Sequence, residues 1–471
     1  MKHSAGEWLE RTLGQFSGKG NISKMIDKQS IGKRVANKSG IGKRIEAKRI
    51  EEKKRIAGKR GASKLASKPV AGKRSTGKPV TGNRVTTPGR RIALAGMMLL
   101  LLSGAGCDDE TLRGGTAKEG EGPSAVETAR ESAIPYTAET LAEGLNVPWE
   151  MAIAPDGRIF FTERPGAIRV IEQDRLAKEP LIEMEAPFIS RSEGGLLGLA
   201  IDPNFEDNRF LYAYHTYETE EGIRNRVIRL KENGNKAEID QVLIDGLPGA
   251  ANHNGGRIKI GPDGYLYITT GDRYEPGLAQ ERESLGGKIL RIAPDGSIPQ
   301  DNPFPGSPVY SLGHRNPQGL AWHPVTGQLY ASEHGQSAHD EVNRIEAGAN
   351  YGWPIVQGDE QSGQYPDLIK PLLHSGEETW APSGMAFITQ GPWKNRLLVA
   401  NLAGKQALLI ELSEPHYNEA KNVEALFRDL GRIRNIYEGP DGSVYVMTNN
   451  RDGRGNPQQG DDKMIRLRPR T

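Results

Sequence analysis

From about Ile134 onward one short theme returns six times: an apolar strand, a tight turn built on proline, a second apolar strand and a polar loop. The copies are MAIAPDGRIFFTER, LGLAIDPNFEDNRFLYAYHTY, RIKIGPDGYLYITTGD, GLAWHPVTGQLYASEHG, GMAFITQGPWKNRLLVANLAG and IYEGPDGSVYVMTNN. Their turn prolines, Pro155, Pro203, Pro262, Pro324, Pro392 and Pro440, lie 48, 59, 62, 68 and 48 residues apart. Pro-Asp-Gly is a turn with a mechanism, because proline presets φ and glycine accepts a positive φ. A further apolar strand follows most copies: AIRVIE, RVIRL, KILRIA, ALLIEL and MIRLRP. Units of this length with several strands each are propeller blades. The expectation is an all-β, six-bladed β-propeller over residues 135–471, with a central channel and ligand sites built at one mouth from the loops of several blades. Alternating strand and helix patterns are missing, which disfavours a doubly wound fold.

The net charge of +2 averages two unlike regions. Residues 1–91 hold 25 Lys and Arg against 6 Asp and Glu, whereas the remaining 380 hold 37 against 54. An acidic body is a poor partner for nucleic acid. Residues 17–84 repeat Gly-Lys themes such as IGKR and AGKR with no apolar face. Such a stretch cannot bury enough surface to offset its ordering entropy, so residues 1–89 read as a disordered basic extension. Arg90 and Arg91 then flank an apolar run of 15 residues, Ile92 to Gly106. A spanning helix needs about 20, but the run suits the apolar part of an export signal. It ends at Cys107, the single cysteine, so no intramolecular disulfide forms. Residues 90–107 resemble a bacterial lipoprotein signal, which implies that Cys107 is acylated. Gly104 stands where that signal usually has Leu. The acidic, Gly- and Ser-containing residues 108–134 read as a flexible linker. The protein is thus expected to be exported and lipid-anchored on the outer face of the cell membrane, or periplasmic. The lipid is its only expected membrane attachment.

No G-x-G-x-x-G follows a strand, and no P-loop, G-x-S-x-G elbow or H-E-x-x-H motif occurs. Three segments carry candidate chemistry. In NHNGGRIKIGPDGYLYITTGDR, a hairpin brings His253 beside Asp272, giving a base whose tautomer a carboxylate fixes. In LGHRNPQG, Arg315 and Asn316 offer a fixed cation and an amide. In GRIRNIYEGPDG, Arg432 and Arg434 are two apart, and on a strand they share one face, although exposed arginines are usually just solvated. The cluster EHGQSAHDE, with His334, His339, Asp340 and Glu341, admits a zinc reading, but carboxylates and backbone oxygens in a Gly-containing loop suit calcium better.

GGLLGLAIDPNF, NHNGGRIKIGPDGYLYITTGD, GHRNPQGLAW, SEHGQSAHDEVN and GANYGWP, in this order, resemble the glucose/sorbosone dehydrogenase family. Its members include soluble aldose dehydrogenases that use pyrroloquinoline quinone (PQQ), and its fold is a six-bladed propeller. The resemblance implies that His253 is the base for the sugar hydroxyl and Asp272 its partner. It further implies that Arg315 and Asn316 hold the quinone oxygens, and that Arg432 and Arg434 hold cofactor carboxylates. Glu193 stands where the family's quinone site has Gln. Calcium is implied at the carbonyls of Gly335 and Gln336, or at Glu341 and the Tyr351 carbonyl. A family Lys that contacts the quinone is matched by Ala403, with Lys405 two residues on as a substitute. The implied activity is PQQ- and calcium-dependent oxidation of an aldose to its lactone, with electrons passed to an external acceptor.

Two other functions use the same architecture. A calcium-dependent lactonase-like hydrolase shares the His–Asp pair but has no need of Arg315, Arg432 and Arg434 around an anionic quinone. A non-catalytic carbohydrate- or ligand-binding propeller is favoured by Ala403 and by the lipid tether.

The anchoring expectation is checked by intact-mass analysis of protein from its native host. The expected mature chain starts at Cys107 and carries lipid. A different mature N-terminus with Cys107 unmodified refutes it.

Overall fold

Each proline turn joins the two innermost strands of one sheet. The computed structural model describes residues 134–470 apart from Asp359 and Gln361. The basic extension, the signal segment with Cys107, and all of the linker except Ile134 lie outside the described residues. Six sheets form, five of four strands and one of five. Blade 1 comprises Pro148–Ile153, Ile159–Glu163 and Ala167–Glu172, with Arg175–Leu176 and Ile182–Glu183 both paired to the third strand. Blade 2 comprises Leu196–Ile201, Phe210–Thr219, Gly222–Asn233 and Lys236–Pro248. Blade 3 comprises Ile258–Ile260, Leu266–Thr270, Lys288–Ile292 and Val309–Leu312. Blade 4 comprises Pro317–Trp322, Leu329–Glu333, Glu341–Ile345 and Leu373–His374. Blade 5 comprises Pro382–Phe387, Leu397–Asn401, Gln406–Leu412 and Ala420–Leu426. Blade 6 comprises Ile433–Glu438, Val444–Thr448 and Met464–Pro469, and its outer strand is Tyr136–Ala142 from the other end of the chain.

The second strands explain why the sequence showed apolar runs rather than alternation. Ile159–Glu163, Leu266–Thr270, Leu329–Glu333, Leu397–Asn401 and Val444–Thr448 are buried at every residue, because a neighbouring blade covers each face. The buried apolar side chains fall into six clusters, one at each seam between blades. The seam between blades 1 and 6 joins Met151, Ile159 and Phe161 to Tyr445, Met447 and Met464. Tyr136 of the closing strand packs on Trp393 with ring centroids 4.3 Å apart.

Polar contacts tie the blades across the channel. Glu150 of blade 1 accepts from the Arg257 guanidinium and from Asn435 of blade 6. Arg257, entering blade 3, also donates to the Gln318 carbonyl of blade 4 at 2.7 Å. Two guanidiniums lie against the Trp149 ring, Arg257 at 4.0 Å and Arg434 at 5.5 Å from its centroid. Glu150 and Arg257 are both fully buried.

Removing one member of a buried ion pair strands the other charge. Glu150→Ala is expected to cost roughly 3–5 kcal/mol in urea unfolding, and Glu150→Gln with Arg257→Met to recover most of that loss. A loss below about 1 kcal/mol would show that the pair is not holding the channel.

Candidate functional site

The mouth opposite the proline turns is built from two kinds of position in each blade: residues just before the innermost strand and residues just after the second. His253, Arg315, Asn316 and Arg432 belong to the first kind, and Asp272 and His334 to the second. All but His334 are legible as parts of this site from their motifs, His334 reading there as a metal candidate; the register that gathers them also delivers Arg164 and Asp452.

His253 sits in the left-handed region at φ 58°. Its loop runs against Gly271, where a Cβ would meet the His253 carbonyl oxygen at 2.0 Å, so only glycine admits this approach. The contact brings His253 Nδ1 to 2.7 Å from Asp272 Oδ1, the pairing expected from the hairpin. Asp272 also accepts from the Tyr274 amide at 2.9 Å and the Trp353 indole at 2.9 Å. Burial alone would raise the Asp272 carboxyl, but the hydrogen bond and charge of His253, with the Tyr274 and Trp353 donors, carry it below its ordinary value. An ionised Asp272 accepts the Nδ1 proton. Arg315 Nη2 lies 3.0 Å from His253 Nε2, and a guanidinium can only donate, so Nε2 carries the lone pair. Trp353 belongs to the NYGWP string, but its hold on Asp272 and its position 5.5 Å from the Arg315 guanidinium were not read from the sequence.

Beside this pair is a cavity with about 430 Å³ of empty space, its open mouth included. Its walls include Trp149, Arg164, Glu193, His334, Arg434 and Asp452. Arg432 and Arg434 are both buried, which overturns the solvated-surface alternative. Their partners differ. Arg432 holds Asp452 through Nε at 2.9 Å and Nη2 at 2.7 Å. Arg434 is bound by neutral groups, Gln318 at 2.9 Å, Ser383 at 3.2 Å and Asn449 at 3.1 Å. Burial, with Arg164, Arg432 and Arg257 nearby, pushes its pKa down to about 9 against the pull of Asp452. Among the described residues, buried Arg164 Nε and His334 Nε2 have no hydrogen-bond partner. Asn316 accepts from the Gly255 amide at 2.9 Å, pinning the His253 loop to blade 4. Glu193, in the place of the family's Gln, accepts from the His253 amide at 3.1 Å and from Arg454 at 2.7 Å. Burial opposes its charge, but His334, Arg454 and the amide outweigh it and hold Glu193 below the ordinary carboxylate range.

Lys405 is exposed and lines a separate depression with Trp380, Gln406 and Arg428, away from this cavity. Ala403 is exposed too. The cavity wall there is Leu402, whose carbonyl accepts from Arg432 at 3.2 Å.

The calcium candidates divide into two places. Among the described residues no loop hydrogen bond ends on the carbonyls of Gly335, Gln336 or Tyr351. Glu341 accepts from the Gly358 amide at 2.8 Å and from Asn343 at 3.0 Å, with no cation paired to it among the described residues. Free carbonyl oxygens and an unpaired carboxylate are the donors a hard cation takes. Asp340 is occupied by the amides of Gly335, Trp380 and Ala381. His339 faces Glu360 at 3.3 Å while His334 faces the cavity, so the two imidazoles of the zinc reading do not converge. Among the described residues no group of three or more His, Cys, Asp and Glu is placed to hold a metal.

Comparison with known proteins agrees with this geometry. The family described as Glucose / Sorbosone dehydrogenase matches residues 145–457. A putative oxidoreductase (glucose dehydrogenase) from Thermus thermophilus is 44% identical, with a TM-score of 0.66 over 70% of this chain and 99% of its own. The PQQ-bound aldose sugar dehydrogenase of Streptomyces coelicolor is 37% identical, with a TM-score of 0.63 over 71% and 98%. Quinoprotein glucose dehydrogenase B of Acinetobacter calcoaceticus is 31% identical, the match covering 69% of this chain and 87% of that protein.

Glu341 gives the protein a pH dependence that needs no ligand to observe. Burial first, then the charge of Glu333, raises its pKa to about 8 from 4.5, against the donors Asn343 and Gly358. The folded chain therefore keeps a proton that the unfolded chain releases. That contribution to stability is complete below about pH 4.5 and is lost as the pH rises through about 8. In calcium-free buffer Tm is expected to fall over this window, and Glu341→Gln to flatten the fall. An unchanged slope in the variant assigns it to another group.

Proposed function

The chain belongs to the glucose/sorbosone dehydrogenase family, and from that premise we propose that it oxidises an aldose at its anomeric carbon to the lactone, using PQQ and calcium. The observation that carries the reading is the cavity beside the His253–Asp272 pair, where Arg434 and Arg164 lack a carboxylate of their own and His334 Nε2 lacks any partner. A cofactor with several carboxylates and a ring carbonyl fits those unspent donors. Arg434 and Arg164 would hold its carboxylates, with Arg432 reinforcing the wall through Asp452. Arg315 and Asn316 would face its ring oxygens. When bound, PQQ supplies the two-electron acceptor, and calcium at the Gly335 and Gln336 carbonyls or at Glu341 and Tyr351 supplies a Lewis acid.

The protein's own part is proton handling and positioning. His253 Nε2 takes the proton of the anomeric hydroxyl as the C1–H bond gives up its hydride, and the carbon becomes the lactone carbonyl. Asp272 holds the ring in the required tautomer and stabilises the imidazolium that results. Arg315 already donates to Nε2, so an arriving hydroxyl replaces that contact and leaves the guanidinium free to stabilise developing negative charge. The lipid anchor at Cys107, the position outside the cell membrane and an external electron acceptor complete the proposal. They are supported by the signal-like residues 90–107 and by the need to reoxidise the cofactor.

The test is dye reduction by purified protein with PQQ, calcium and a panel of aldoses. Turnover that requires both additives is expected. His253→Ala should lower kcat by about 10²–10⁴-fold while PQQ still binds. Arg434→Ala should instead weaken PQQ binding by about 1.5–3 kcal/mol. Wild-type turnover in His253→Ala would falsify the assignment of the base. PQQ binding without oxidation of any aldose selects the non-catalytic propeller that the exposed Ala403 favours.

A further inference from the structure

The channel has a second mouth, on the face of the proline turns. There an open funnel with about 1280 Å³ of empty space, solvent at its opening included, is bounded by turn residues Pro155, Pro203 and Pro440 and by Ile153, Ile201 and Ile260. Glu150 and Lys259 lie at its inner end. Nothing in the proposed oxidation uses this end of the molecule.

Lys259 projects from the innermost strand of blade 3, half-buried, toward Tyr437 of blade 6, with Nζ 5.4 Å from the ring centroid. Among the described residues its ammonium has no hydrogen bond and no carboxylate within ion-pairing distance. The acid whose charge bears on it, Glu150, is taken up by Arg257, Asn435 and the Met151 amide. Arg257 is deeper in the same channel and adds repulsion rather than relief. Two carboxylates on the funnel wall are occupied as well. Glu438 accepts from the Thr389 and Gln390 amides at 2.8 and 3.0 Å, and Asp202 from the Asn204 amide and Asn208, both at 2.8 Å, and from the Tyr212 hydroxyl. Of the cations Arg257, Lys259 and Arg434, only Arg257 is paired with Glu150 among the described residues. Arg434 turns its charge to the cavity at the upper mouth, and Lys259 is left facing the funnel.

We propose that this funnel binds a small organic monocarboxylate with an apolar body, its carboxylate on Lys259 Nζ and its chain against Tyr437 and the isoleucine walls. One ammonium matches one negative charge. A phosphate would bring a second charge toward Glu150, Asp202 and Glu438, with no further cation or amide array to receive it. An uncharged alcohol of the same length would leave the ammonium without its partner. Burial holds the Lys259 ammonium below its ordinary range, with Arg257 adding to the effect and Glu150 opposing it. An incoming carboxylate offsets both the burial and the repulsion.

Isothermal titration of the full-length protein with hexanoate, hexanol and inorganic phosphate tests this site independently of any turnover. One saturable hexanoate site per chain is expected, with hexanol and phosphate at least about tenfold weaker, the contribution of one charge-assisted contact. Lys259→Met should weaken hexanoate by a similar factor, and Arg434→Met should leave it unchanged. Ile201→Asp, which sets an anion on the funnel wall, should abolish binding and serves if Lys259→Met does not fold. Hexanoate binding that survives both Lys259→Met and Ile201→Asp, or that disappears in Arg434→Met, overturns the proposal. So does the absence of saturable binding to the wild type.

Discussion

The buried pair of Glu150 and Arg257 is the contact on which the channel depends. Glu150 comes from blade 1 and reaches Asn435 of blade 6, while Arg257 comes from blade 3 and reaches the Gln318 carbonyl of blade 4. Four blades therefore meet through two side chains. A charge pair removed from water stabilises little by itself, since desolvation consumes most of the Coulomb gain. Its effect is on geometry, because a shift of either blade that separated the two groups would leave a charge buried alone. The same pair separates two mouths of unlike chemistry. Above it are Trp149, Arg434 and the cavity beside His253; below it are Lys259, Tyr437 and the apolar funnel.

Much of the architecture was legible because a propeller repeats its turn. All six prolines picked out by the repeat stand in the connection between a first and a second strand. The outer strand of every blade and one third strand were not legible. The third strand of blade 4 is EVNRI, whose Glu341 and Asn343 face buried polar partners rather than an apolar seam, so its hydropathy does not announce a strand. The strand that completes blade 6 is YTAETLA, mostly exposed and more than 300 residues from its partner in sequence, and no local signal can report such a pairing.

The candidate site divides in the same way. His253 and Asp272 were readable because a hairpin is local and its two ends must meet. Arg164 and Asp452 were not, since each is an ordinary polar residue whose place is set by strand register across different blades, and His334 reads in sequence as a metal candidate rather than as part of this cavity wall. Counting from the proline turn to the end of each second strand would have found them. Lys405 shows the limit of reading by neighbourhood: two residues beyond the matching position, it lies on the outside of the wall that Leu402 forms.

The pairing of Tyr136–Ala142 with Met464–Pro469 also fixes the order in which this molecule becomes complete. During synthesis five seams can close one after another as each blade emerges, but the seam between blades 6 and 1 waits for the final strand. The cavity beside His253 takes Arg164 from blade 1 and Arg434 and Asp452 from blade 6, so it straddles that last seam. A ring that lacks Met464–Pro469 leaves that seam open, and with it one side of the cavity. A ligand that bridged blades 1 and 6 in this cavity would stabilise the one joint that polymer topology leaves until last.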